Sequence, residues 1–87
     1  MKRWSIIFKT LGNINRLKIT VLLTKAGRMA VSDIAKKLKI SVKSASKNLV
    51  LLQQLDVLEN VGRSGHVYYE INPQMPADMR KTLKLFT

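Results

Sequence analysis

Residues 31–55 read VSDIAKKLKISVKSASKNLVLLQQL, and the fold turns on how this stretch divides. Val31, Ile34, Ala35 and Leu38 recur at helical spacing, which puts them on one face of a short helix. Lys39-Ile40 makes a tight turn. Ser41 follows as an N-cap, its hydroxyl placed to accept a backbone N–H of the next turn. From there Val42, Ala45, Leu49, Leu52 and Leu55 form one apolar stripe running to about Gln54. Two helices joined by so short a turn make a helix-turn-helix.

Upstream the same period holds. Trp4, Ile7, Phe8 and Leu11 follow i, i+3, i+4, i+7, and Gly12-Asn13 stops them. Ile14, Leu17, Val21 and Leu22 restart the pattern until Ala26-Gly27 closes it. Downstream the period changes to two. Val57 to Val61 and His66 to Ile71 alternate, with Val67, Tyr69 and Ile71 on one face and His66, Tyr68 and Glu70 on the other. Gly62-Arg63-Ser64-Gly65 between them suits a hairpin. After Asn72-Pro73 and Pro76, a last helical stripe of Met75, Met79, Leu83 and Phe86 follows. The expected fold is mainly α with a small β-hairpin wing, a winged helix-turn-helix in the order α-α-α-α-β-β-α, and residues 1–87 make one domain.

The side of residues 41–54 turned away from the stripe carries Lys43, Ser44, Ser46 and Lys47 within two turns. A helix that enters a major groove needs small hydroxyls and amines there, to meet base edges and phosphates. Charge agrees with that placement. The chain has 16 Lys and Arg against 5 Asp and Glu, a net charge of +11. Residues 1–47 hold twelve of the cations against Asp33 alone, while residues 48–87 balance four against four. The excess belongs to the half with the helix-turn-helix.

Composition excludes several classes. No cysteine is present, so a disulfide scaffold, a thiolate metal site and a cysteine nucleophile are ruled out. One histidine and five scattered carboxylates assemble no acid–base pair, and the expectation is a protein without enzymatic activity or cofactor. A hydrophobic content of 46% is too high for a disordered basic tail. No apolar run approaches the ~18 residues of a membrane span, and the start is too polar for a signal peptide. The expected location is the cytoplasm, at the nucleoid.

Taken together, the chain resembles the ArsR-type family of prokaryotic winged-helix repressors over nearly all of residues 4–86. The resemblance rests on Phe8 to Ile19 (FKTLGNINRLKI), Val31 to Leu38 (VSDIAKKL), Ile40 to Leu49 (ISVKSASKNL) and Gly65 to Ile71 (GHVYYEI), in order and at the right spacing. Asn13-Ile14-Asn15-Arg16 departs from the Asp, Pro and Thr usual before the Arg, which softens the expected start of the second helix. The resemblance implies a symmetric dimer whose first and last helices, about 2–12 and 76–86, form the interface through Trp4, Ile7, Phe8, Leu11, Met75, Met79, Leu83 and Phe86. The residues agree, since these stripes exceed what an 87-residue core readily covers.

Metal sensing does not carry over. Metal-responsive members have a Cys-x-Cys pair before the Asp of the third helix, and aligned on Asp33 those positions are Ala30 and Ser32. The family's other site uses His and acidic pairs on the last helix, which here offers Asp78 alone. The expected function is therefore a sequence-specific regulator of double-stranded DNA, a homodimeric repressor at an inverted repeat, without metal. The expected DNA contacts are Lys36, Ser41, Lys43, Ser44, Ser46, Lys47, Arg63 and His66. For His66, phosphate contact and plain exposure stand side by side. Arg16 is read as a structural contact. The alternatives are a non-specific architectural DNA binder and a protein-docking module, which would use Val50 and Leu51.

Overall fold

The computed structural model describes residues 13–63 and 65–85, with Arg63 described by its backbone alone. The expected helix over 2–12, the interface residues Trp4, Ile7, Phe8 and Leu11 on it, and Phe86 lie outside the described residues. The described elements are α1 (Ile14–Ala26), β1 (Met29–Ala30), α2 (Val31–Leu38), α3 (Val42–Gln54), β2 (Leu58–Arg63), β3 (His66–Ile71) and α4 (Ala77–Leu83). They form a winged helix-turn-helix.

Helix α1 starts firmly. The Asn13 Oδ1 accepts the backbone N–H groups of Asn15 and Arg16 at 3.0 and 3.2 Å. That is the work an aspartate does at this position, so the softened start expected from the sequence is corrected. The helix ends at Gly27, whose φ of 87° lets its N–H turn back to the Leu23 carbonyl at 2.9 Å. Its buried face is Ile19, Thr20 and Leu23, not the stripe Ile14, Leu17, Val21 and Leu22. Ile14 is exposed and the other three are half-buried. Apolar residues occur almost all round this helix, so periodicity alone had no way to select the face.

The turn after α2 is built by Lys39 in the left-handed conformation, φ 57° and ψ 44°. It brings the Ile40 N–H to the Ala35 carbonyl at 3.0 Å and satisfies the helix end. Ser41 then caps α3 with its hydroxyl oxygen 3.0 Å from the Ser44 backbone nitrogen. Ala45, Leu49 and Leu52 are fully buried, whereas Val42 is 54% exposed. The first turn of α3 projects past the core, so Val42 leaves the stripe to which its spacing assigns it.

The wing is longer than expected. β2 runs to Arg63 and pairs with β3 in antiparallel register from Leu58 opposite Ile71 to Arg63 opposite His66. The connection therefore shortens to residues 64–65, with Gly65 at φ 80°. β1 adds a third strand, pairing Met29 with Tyr69 and Ala30 with Tyr68, for a sheet order β1-β3-β2. Two residues are too few to show a period, and this strand went unforeseen.

The core joins Ile19 and Leu23 of α1, Ile34 and Ala35 of α2, Ala45, Leu49 and Leu52 of α3, and Val57, Leu58 and Tyr69 near and in the sheet. It also takes Met75, Met79 and Leu83, which are 5%, 2% and 5% exposed. Within one copy of the chain these three side chains are therefore packed inward. A small core needs every large side chain available to close it, at about 1.5–3 kcal/mol for each one buried, and α4 spends its apolar stripe there.

Candidate nucleic-acid interface

The helix-turn-helix carries five exposed lysines. Lys36 and Lys37 stand exposed in the last turn of α2, Lys39 is exposed in the turn, and Lys43 and Lys47 are exposed on α3. Lys43 and Lys47 are four residues apart, which places them on one helical face about 6 Å apart along the axis. Among the described residues of α2, the turn and α3, Asp33 is the one acid, and it lies in the first turn of α2 beside the positive helix end.

Ser41 is exposed, and its oxygen already accepts the Ser44 N–H while its hydroxyl hydrogen remains a donor. Ser44 and Ser46 are half-buried. Ser44 opens onto a groove of about 500 Å³ shared with Asn13, Arg16, Lys47, Asn48 and Leu51. Asn48 donates its side-chain amide to the Ser44 carbonyl at 3.0 Å, a contact inside α3 that the sequence reading did not identify. Val50 is 45% exposed but lies on the surface that carries Lys43, Lys47 and Gln54, so it is interrupted by polar neighbours.

On the wing, the backbone of Arg63 ends β2 opposite His66. His66 is exposed, its ring 6.2 Å from that of Tyr68 at a tilt of 54°. Tyr69 is buried, as its alternation predicts, while Val67 on the same face is 47% exposed because the hairpin tip extends beyond the core. Ser44 and Lys47 line one groove, Ser41 is bonded to the Ser44 backbone, Lys43 shares the face of Lys47, and Ser46 lies on the other flank of α3, while Lys36 belongs to α2 and His66 to the wing.

The base of the wing holds a charged cluster that the sequence did not signal. The Arg28 guanidinium meets a Glu70 carboxylate oxygen at 2.8 Å. Glu59 stands directly opposite Glu70 across the strands. The hydrogen bond between the two carboxyl groups, then burial, then repulsion by the Glu70 charge raise the Glu59 pKa, against a lowering by Arg28.

Comparison with known proteins places this geometry. No family model matches the chain. It is 35% identical over 72 residues to the transcriptional repressor SdpR of Bacillus subtilis, covering 83% of this chain and 79% of that protein. The chain belongs to the ArsR family. An arsenic resistance regulator of the family, ArsR1 of Pseudomonas putida, is 28% identical over 91% of this chain, which spans only 62% of that protein's length. Among solved structures, a homodimeric winged helix-turn-helix DNA-binding domain from Mycobacterium bovis, described as a possible ArsR-family regulator, superposes with a TM-score of 0.78 at 28% identity. The alignment covers 98% of this chain and 75% of that one.

This ArsR-family chain does not offer the donors of an arsenic site. It has no cysteine, Ala30 is paired into the sheet, and Ser32 is an exposed hydroxyl at the start of α2. Among the described residues no three His, Asp or Glu side chains converge on one point. Nor is any described helix long and apolar enough to cross a membrane.

Proposed function

We propose that the protein is a sequence-specific regulator of double-stranded DNA that acts as a homodimeric repressor, without metal sensing and without an enzymatic step. The observation that carries this reading is the exposed pair Lys43 and Lys47 on a helix capped by Ser41 in the second position of a helix-turn-helix. Lysines on this face neutralise phosphates, and the hydroxyls and backbone beside them meet base edges. Arg63 and His66 on the wing extend contact to the neighbouring backbone or minor groove, and Lys36 approaches the phosphates from α2.

Self-association is supported by likeness to the homodimeric domain from Mycobacterium bovis. Leu17, Val21, Leu22 and Leu38 also leave a half-buried apolar groove of about 400 Å³. In the proposed dimer, residues 2–12 and the end of the chain near Phe86 contribute, whereas Met75, Met79 and Leu83 remain in the core of each copy. Two-fold symmetry sets the recognition helices one DNA turn apart, about 34 Å, and calls for an inverted repeat. Occupying that repeat blocks polymerase, and such a protein works at the nucleoid.

Binding to labelled duplex measured over a salt series tests the reading. With six phosphate contacts, affinity falls about a thousandfold between about 50 and 200 mM salt. Affinity for duplex DNA that does not change with salt contradicts it, and equal affinity for all sequences favours an architectural protein.

A further inference from the structure

We propose that Val42 reads the 5-methyl group of a thymine in the major groove. The inference rests on the DNA-binding reading above and adds to it the identity of one base pair in each half-site.

Val42 is the first residue of α3 and is 54% exposed, although Ala45, Leu49 and Leu52 of the same helix are completely buried. It is the one apolar side chain in a first turn otherwise made of Lys43 and Ser44, preceded by Ser41 and followed one turn on by Ser46. Hydroxyls and amines at these positions find partners on phosphates and on every base pair. A branched hydrocarbon finds none of those. The thymine methyl is the apolar group that the major groove displays, and it distinguishes T·A from C·G at the same ring position.

Position along the helix supports the assignment. Recognition helices meet base edges with their N-terminal residues. Val50, the other exposed valine of α3, lies eight residues further on, about 12 Å along the axis, and is ranged with Lys43, Lys47 and Gln54. Val42 is also held still. Its backbone follows the Ser41 cap, whose oxygen takes the Ser44 N–H at 3.0 Å. A valine in a helix occupies essentially one rotamer, so its methyls are presented with little entropy left to lose.

The test begins with duplexes enriched by the intact protein from a random pool. Each thymine of the enriched site is then replaced singly by deoxyuridine, which removes the methyl and keeps the base pair. The expected result is one position per half-site at which uracil weakens wild-type binding about fourfold, the value of one buried methyl group. At that position uracil leaves the affinity of Val42→Ala unchanged, and a 5-methylcytosine placed there in a C·G pair recovers part of the wild-type affinity. Val42→Ala alters an exposed side chain, and unchanged thermal unfolding confirms that it folds. If no uracil position weakens the wild type, or if Val42→Ala responds as strongly, the proposal is wrong while the DNA-binding reading stands. If no duplex is enriched or bound at all, the DNA-binding reading fails and takes this proposal with it.

Discussion

The Ser41 hydroxyl oxygen lies 3.0 Å from the Ser44 backbone nitrogen, and this single bond fixes where the exposed helix begins. The helix cap and the proposed DNA contact therefore fall on one side chain, and two substitutions separate them. Ser41→Ala removes the cap and lowers stability by about 1 kcal/mol in denaturant unfolding. Ser41→Asp keeps an acceptor at the cap and retains that stability, yet sets a negative charge against the phosphates. Its affinity for duplex DNA falls more than that of Ser41→Ala.

Lys43 and Lys47 share an exposed face, and a phosphate contact is worth the same on every sequence. Lys47→Ala is expected to weaken binding to specific and random duplexes by a similar factor. It also reduces the slope of log affinity against log salt by about one. An unchanged slope removes Lys47 from the backbone contacts.

Glu59 and Glu70 face each other in the register of β2 and β3, with Arg28 bound to Glu70. Their mutual hydrogen bond, with burial and like-charge repulsion, lifts the Glu59 pKa above its usual value of 4.5. A carboxyl group that holds its proton more tightly folded than unfolded contributes stability that is complete below the unfolded value. That stability is lost as pH rises through the folded one. Glu59→Gln removes the loss, so its melting temperature gains on the wild type as pH rises from about 4 to about 7. A constant difference between the two proteins across that range contradicts this account.

Met79 is 2% exposed within its own chain. Met79→Ala opens a cavity in the core and is expected to cost about 2–5 kcal/mol of unfolding free energy. A loss under about 1 kcal/mol in chemical denaturation indicates that the site is not packed as described.

The helix-turn-helix was legible because several independent signals coincide in residues 31–55: two short apolar stripes, a turn and a serine at the cap. The hairpin was legible from its alternation, since Tyr69 is buried where the pattern puts it. Other features were hidden for physical reasons. α1 is apolar on most of its circumference, so its buried face, Ile19 and Leu23, depends on what packs against it. β1 is two residues long and exists through its pairing with Tyr68 and Tyr69. The stripe of Met75, Met79 and Leu83 was visible, but spacing cannot say whether such a stripe closes a core or meets a second copy. Val42 obeys the helical period and yet emerges into solvent, because a period does not reveal how far a helix overhangs its core. On the candidate interface, the residue types and their grouping on α3 could be read directly. The Arg28, Glu59 and Glu70 cluster could not, since it depends on strand register.

The most direct test of the central claim is selection of bound duplexes from a random pool by the purified protein at near-physiological salt. The account predicts an enriched inverted repeat with half-site centres about one helical turn apart, and loss of that enrichment when Lys43 and Lys47 are both replaced by alanine. A flat profile, with every sequence retained alike, contradicts it.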